Sequence, residues 1–214
     1  MILLVGNFKG GTGKSTISFN LAVWSAYNLR RALIIDTDPL HTIANLLNVR
    51  KAQGYEPVLY SLVAKESELS KEVERVKDLF DDIIVDIAAG DIVGFQEALK
   101  AADKVLIPLL PGQADVWALN DVMKLIRAAQ KKRPELKVMA VINKADTNPR
   151  VLETKETGEI LKQLEGVEPA PTRIGYRVIM RRSIIEGLGV EEWAPKSKAA
   201  KEVEILARAV FEVD

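Results

Sequence analysis

Lys9-Gly10-Gly11-Thr12-Gly13-Lys14-Ser15-Thr16 stands between an apolar tetrad, Ile2-Leu3-Leu4-Val5, and a stretch in which Ile17, Leu21, Trp24 and Leu29 recur at three- to five-residue steps. The tetrad predicts a buried strand and the recurrence predicts a helix, so the glycine-rich octet is the turn between them. Glycines let the backbone turn sharply and bring its N–H groups close to an anion, and the following helix N-terminus adds positive potential. Such a turn suits phosphate. Lys14 is spaced to reach the β- and γ-phosphates of a nucleotide, and the Ser15 hydroxyl to bind Mg²⁺. Gly10, Gly11, Thr12, Gly13 and Thr16 complete the cradle. The strict pattern G-x-x-x-x-G-K-[ST] is not met, because its first glycine falls on Phe8. A second lysine, Lys9, directly precedes the paired glycines instead.

With that extra lysine the octet closely resembles the deviant Walker A motif of the ParA/MinD family of P-loop ATPases. The resemblance implies a homodimer formed with ATP, in which each signature lysine reaches across to the partner's nucleotide, and it gives that role to Lys9. Spacing alone places only a second cation beside the phosphates.

The 214 residues suffice for one α/β domain with a sizeable core, and the expected organisation is a single domain over 1–214. The formal net charge is zero, so any attraction for nucleic acid has to come from a local patch. Met1 leads straight into the first strand and no apolar run approaches 18 residues, so neither a signal peptide nor a membrane span is expected, and the location read is cytoplasmic. Zero cysteines exclude thiolate-held iron–sulfur clusters, disulfides and cysteine zinc sites.

Short runs rich in Val, Ile and Leu at 2–5, 32–35, 83–87, 104–109 and 137–142 read as buried parallel strands, with a sixth near 170–174. Helical patterns lie between them at about 14–29, 41–47, 57–80 (broken near Ser67–Ser70), 92–101, 115–132 and 151–165, and two more close the chain at 177–186 and 197–212. This alternation predicts an α/β fold, an open and mostly parallel sheet with helices on both faces.

In such a sheet the ligand sits at the carboxyl ends of the strands. The second strand ends in Asp36-Thr37-Asp38-Pro39, and two carboxylates leaving an apolar strand are costly to bury without a use. One structural and one turn-starting Asp is the plain alternative. The resemblance makes this the first switch, with Asp38 orienting the attacking water and Asp36 supporting the metal shell or the lysine network. ParA-type chains usually continue D-P-Q-G-N, whereas Leu40-His41-Thr42 follow here, and His41 reads as a solvent-facing or capping residue.

The third strand ends in Asp86 beside Ala88, Ala89 and Gly90, a Walker B arrangement. Asp86 is expected to hold a Mg²⁺-bound water, which with Ser15 and Asp38 makes the candidate metal set. Gly90 is a candidate γ-phosphate sensor, and Asp91 a helix cap. The fifth strand ends in Asn143, whose amide suits an adenine edge. Asn143-Lys144-Ala145-Asp146 also matches the guanine signature N-K-x-D, but ParA-like proteins often carry Asn followed by Arg or Lys here, which favours ATP over GTP.

Near the C-terminus, Arg177 and Arg181 are spaced to share one helix face with Arg182 beside them, and Lys196, Lys198 and Lys201 crowd the start of the last helix. Cations are disfavoured at that end. The clusters are either a surface for the DNA backbone or a solvated face. The resemblance, which runs over the whole chain, implies a slow Mg²⁺-dependent ATPase of the small ParA type. It would bind nonspecific DNA as a dimer and position a plasmid, chromosome or protein cargo with a separate adaptor protein. The chain also begins at the P-loop strand, so site-specific DNA recognition is expected of that adaptor. A MinD-like membrane-cycling ATPase and a metal-insertion or maturation ATPase are the alternatives. The acidic tail, Glu212-Val213-Asp214, argues against the first, and the lack of metal ligands against the second.

Overall fold

The computed structural model describes residues 1–148 and 150–213; Asp214, the last of the acidic tail, lies outside them. The central strand is β1 (Ile2–Val5), flanked in parallel by β4 (Asp82–Asp86) and β5 (Lys104–Leu109). Beyond β4 come β2 (Ala32–Asp36) and β3 (Tyr60–Val63); beyond β5 come β6 (Lys137–Ile142) and β7 (Glu168–Pro169). The order is β3-β2-β4-β1-β5-β6-β7, parallel throughout.

Nine helices are described: α1 (Lys14–Tyr27), α2 (Thr42–Ala52), α3 (Leu69–Val76), α4 (Ile92–Leu99), α5 (Gln113–Gln130), α6 (Glu153–Gln163), α7 (Val178–Ile185), α8 (Val190–Trp193) and α9 (Lys198–Phe211). Strand alternation splits the core in two. Leu4, Ile83 and Val85 face the layer of α3 to α6, while Leu3, Val5 and Ile84 face the layer of α1, α2 and α7 to α9. Buried on both faces, the inner strands read as continuous apolar runs, which is why they were legible.

Two expectations fail at the sheet edges. The stretch 57–80 is not one helix: it contains β3, a 3₁₀ turn at Glu66–Glu68 and α3. Tyr60, Ser61 and Val63 are exposed, so this four-residue edge strand shows no buried alternation. Its register, Leu33 opposite Tyr60, is set by β2. The strand expected at 170–174 is β7, two residues long and starting at Glu168. Pro169 and Pro171 have no N–H to donate, so the chain leaves β6 and returns through Ala170 N to Ala140 O (2.8 Å) and Ile174 N to Ile142 O (2.9 Å). Helix α2 also runs to Ala52 rather than 47, and α8 was not foreseen.

Candidate functional site

The glycine-rich octet connects β1 to α1 at the carboxyl edge of the central strand. Gly11 (φ 75°) and Gly13 (φ 87°) lie in the left-handed region, and a Cβ at Gly13 would come 2.2 Å from Asn143 Nδ2. Only glycine fits there. The loop is fastened from both flanks. Asn7 donates to Pro108 O (2.8 Å) and accepts from Lys9 N (3.0 Å). Asn143 Nδ2 donates to Thr12 O (2.7 Å), and Lys144 Nζ to Gly11 O (2.7 Å). Asn143, expected at the base, is therefore buried with its amide nitrogen on the loop.

A cavity of about 220 Å³ opens over the loop, lined by Gly11, Gly13, Lys14, Ser15, Thr16, Asp38, Ile87, Ala89 and Lys144. Beneath it the Thr12 hydroxyl is buried without a partner among the described residues. Lys14 is almost fully buried and donates to Lys9 O at 3.3 Å. Burial lowers its pKa, opposed by the carboxylates of Asp86 and then Asp38. A buried ammonium with no carboxylate in direct contact among the described residues suits an anionic ligand in front of it.

Asp86 ends β4 below this cavity and accepts from Ser18 Oγ (2.9 Å) and from the Ser15 hydroxyl. Burial raises its pKa to about 7, against the two hydroxyl bonds and Lys14, with Asp36 adding repulsion. The hard-oxygen set Ser15 and Asp86, with Asp38 on the wall, fits Mg²⁺, which keeps several waters and takes few protein ligands. A raised carboxyl pKa also sets a pH dependence. Below about pH 4 both folded and unfolded chains carry this proton; above it only the folded chain does, until about pH 7. Asp86 thus contributes stability that is lost as pH rises to 7, after which its effect is level. The melting-temperature difference between wild type and Asp86→Asn, measured without nucleotide, should shrink from pH 5 to 7 and then stay flat. A difference independent of pH would refute the assignment.

The β2–α2 loop brings in Asp38 but not Asp36. Asp36 is fully buried, its two oxygens accepting from Asp38 N (2.8 Å) and Ile43 N (3.2 Å). It anchors the loop, and burial raises its pKa first of all. Each of its oxygens takes one loop N–H, and the side chain does not line the cavity. Asp38 accepts from Leu40 N (2.9 Å) and faces the cavity. His41 is exposed at φ 50°, at the N-cap position of α2 without a side-chain cap. Gly90 has φ 76° and stands next to Ala89 on the facing loop, and Asp91 caps α4 through Gly94 N (2.6 Å) as expected. Lys9, outside the cavity lining, is ion-paired with Asp115 of α5.

The family described as anion-transporting ATPase matches residues 1–167. The chain belongs to it. Its P-loop ATPase is of the ParA/MinD type. Among curated relatives, the maintenance of carboxysome distribution protein A of Halothiobacillus neapolitanus is 29% identical over 201 residues, covering 92% of this chain and 90% of that one. The chromosome-partitioning ATPase Soj of Treponema pallidum is 24% identical over 249 residues, covering 99% and 97%. The MinD structure of Pyrococcus horikoshii with Mg-ADP superposes at a TM-score of 0.73 with 20% identity, covering 98% and 95% of the two chains.

For this ParA/MinD-type chain, the C-terminal cations do not form the face that their spacing suggested. Arg177 precedes α7 in extended conformation (φ −123°, ψ 139°) and pairs with Glu202 at 2.8 Å, so it shares no helix face with Arg181. Glu202 also accepts from Gly175 N, making Arg177 a brace for the closing segment. Arg181 lies over the Tyr176 ring at 5.6 Å, and Arg182 is exposed beside it. Lys196, Lys198 and Lys201 are all exposed around Ser197, which caps α9 through Ala200 N.

Several contributors were missed in the sequence. Thr37 accepts from Ala88 N (3.0 Å) and so ties the β2 and β4 loops together. Asn7, Ser18 and Asp115 act through contacts 68 to 106 residues distant. Only Lys144, adjacent to Asn143, carried a readable signal. Among the described residues no helix is long and apolar enough to cross a membrane.

Proposed function

We propose that this ATPase binds Mg·ATP over the 9–16 loop, dimerises around it, and in that state holds nonspecific duplex DNA while a partner protein positions a cargo. The observation that carries the proposal is Lys9, a second lysine at the phosphate loop whose side chain lies outside its own subunit's cavity lining. Lys14 and the backbone N–H groups of the loop hold the phosphates, and Lys144 braces Gly11. Ser15 and Asp86 hold the metal, which when bound polarises the phosphoryl oxygens. Asp38 orients the attacking water. Catalysis is positioning plus electrostatic stabilisation, since no side chain here is placed as a strong base, and turnover is slow until the partner binds. The base lies near Asn143, with adenine preferred. The protein works in the cytoplasm, over the nucleoid when ATP-bound.

The carboxysome-distribution relative and the partitioning Soj support cargo positioning as the class of work. A membrane track is disfavoured by α9. Its apolar side chains Ala199, Ala200, Val203, Leu206, Ala207, Val210 and Phe211 are buried against the sheet, leaving no apolar face for a bilayer. Metal delivery is disfavoured by the absence of cysteine and the single histidine.

DNA contact falls to Arg181, Arg182, Lys196, Lys198 and Lys201. A protomer offers few phosphate contacts and a dimer twice as many. Fluorescence anisotropy on random-sequence duplex should show binding that needs ATP and Mg²⁺, with log affinity falling against log salt at a slope of about −4 to −6. Arg181→Glu or Lys198→Glu should weaken it at least roughly tenfold at low salt, as loss of one or two contacts per protomer implies. No affinity of the ATP-bound protein for duplex at low salt would make these clusters solvated faces.

A further inference from the structure

Lys9 is held at three points within its own subunit. Its N–H donates to Asn7 Oδ1 (3.0 Å), its carbonyl accepts from Lys14 Nζ (3.3 Å), and its ammonium pairs with Asp115. Asp115 sits in the first turn of α5, 3% exposed, and its other oxygen accepts from Leu110 N at 3.1 Å. The carboxylate is thus fixed by backbone and burial, while the lysine side chain retains 38% exposure. Of the pair, only the lysine can leave without disturbing the fold.

We infer that Asp115 is the positioning residue for Lys9, holding the signature lysine at home in the nucleotide-free protomer and releasing it only to a stronger anion on a second copy of the chain. This rests on the ATP-dependent dimer proposed above. The exchange is graded by charge. Departure of Lys9 leaves a buried carboxylate unpaired, which costs free energy, and a triphosphate repays it better than a diphosphate because it carries more charge. The home site also takes part. Lys14, the residue that faces the phosphates, is the one bonded to the Lys9 carbonyl. When Lys14 turns to a nucleotide of its own, that bond is given up and the Lys9 segment loosens. A protomer whose own site is filled is therefore the one readiest to reach across.

The test is the oligomeric mass of the full chain, by light scattering after size exclusion, over a range of protein concentrations in Mg·ATP and in Mg·ADP. Asp115→Asn keeps an acceptor for Leu110 N and removes the charge. It should reach half-dimer at roughly five- to tenfold lower concentration in Mg·ATP, the scale of one partly buried ion pair. It should also show dimer in Mg·ADP, where wild type stays monomeric. The double variant Lys9→Ala/Asp115→Asn should be monomeric in both, which locates the effect in Lys9. Melting temperature and ATP affinity are measured alongside, and Asp115→Ser replaces the amide if it fails to fold. A merely structural Asp115 would lower the melting temperature and leave the mass curves superimposed on wild type, overturning the inference. A higher concentration needed for dimer would overturn it too. If wild type stays monomeric in saturating Mg·ATP, the dimer reading itself falls, and this inference with it.

Discussion

Lys14→Ala should abolish measurable Mg·ATP binding, lowering affinity by at least about a hundredfold, or ~2.7 kcal/mol. Lys14 is almost fully buried at the head of α1, and Asp86 and Asp38 both favour its charged form while burial opposes it. An ammonium kept in so dry a place is costly unless an anion comes to it. Its removal takes away the charge facing the β- and γ-phosphates and leaves Asp86 and Asp38 to repel them. The glycine nest alone does not offset that. The fold should survive, because Lys14 makes one side-chain bond, to the Lys9 carbonyl, and Asp86 without its cation remains protonated more readily near neutral pH. Isothermal calorimetry reads the outcome. Wild-type affinity in a folded Lys14→Ala protein would remove the cavity over residues 9–16 as the nucleotide site.

How far the sequence reached depends on distance along the chain. The octet, the Asp at the end of β4 and the Asn at the end of β6 are each adjacent to the strand that presents them, so motif and place arrive together. The inner strands were legible because burial on both faces makes Leu3-Leu4-Val5 or Ile83-Ile84-Val85 unbroken apolar runs. At the edges the signal fades. Tyr60–Val63 has exposed side chains and only β2 to specify it, and Pro169 cuts β7 short by lacking a donor. The brace of Asn7 on Pro108, the pairing of Lys9 with Asp115 and the Thr37 bridge join segments some 50 to 106 residues apart. Nothing local marks them. The misplaced arginine has the same origin. Four-residue spacing puts Arg177 and Arg181 on one face only if both are helical, and Glu202, 25 residues on, holds Arg177 in extended backbone before α7 begins.

Asp38→Ala should separate binding from hydrolysis: ATP affinity within about threefold of wild type, turnover lowered about a hundredfold or more, and a dimer that persists. Three carboxylates leave the strands here, and their surroundings rank them. Asp36 is fully buried, takes a backbone N–H on each oxygen and does not line the cavity. Asp86 is buried, takes hydrogen bonds from Ser15 and Ser18, and does not line the cavity. Asp38 alone stands on that wall, half-buried, fixed by the bond from Leu40 N at 2.9 Å and near enough to Lys14 to raise its pKa. A carboxylate so placed can orient water toward the γ-phosphoryl group without being a strong base, which is what a positioning mechanism requires. Alanine removes it while Lys14, Ser15, Asp86 and the glycine backbone remain, so binding survives. The substitution loses one turn bond worth about 1 kcal/mol, too little to unfold the chain. With hydrolysis blocked, the species that closes around ATP has no exit, and light scattering should report dimer long after wild type has returned to monomer. Unchanged turnover would take Asp38 out of the mechanism. Asp36, buried behind the wall, would then be the next candidate, and a second variant, Asp36→Asn, would have to lose activity while the melting temperature stayed put.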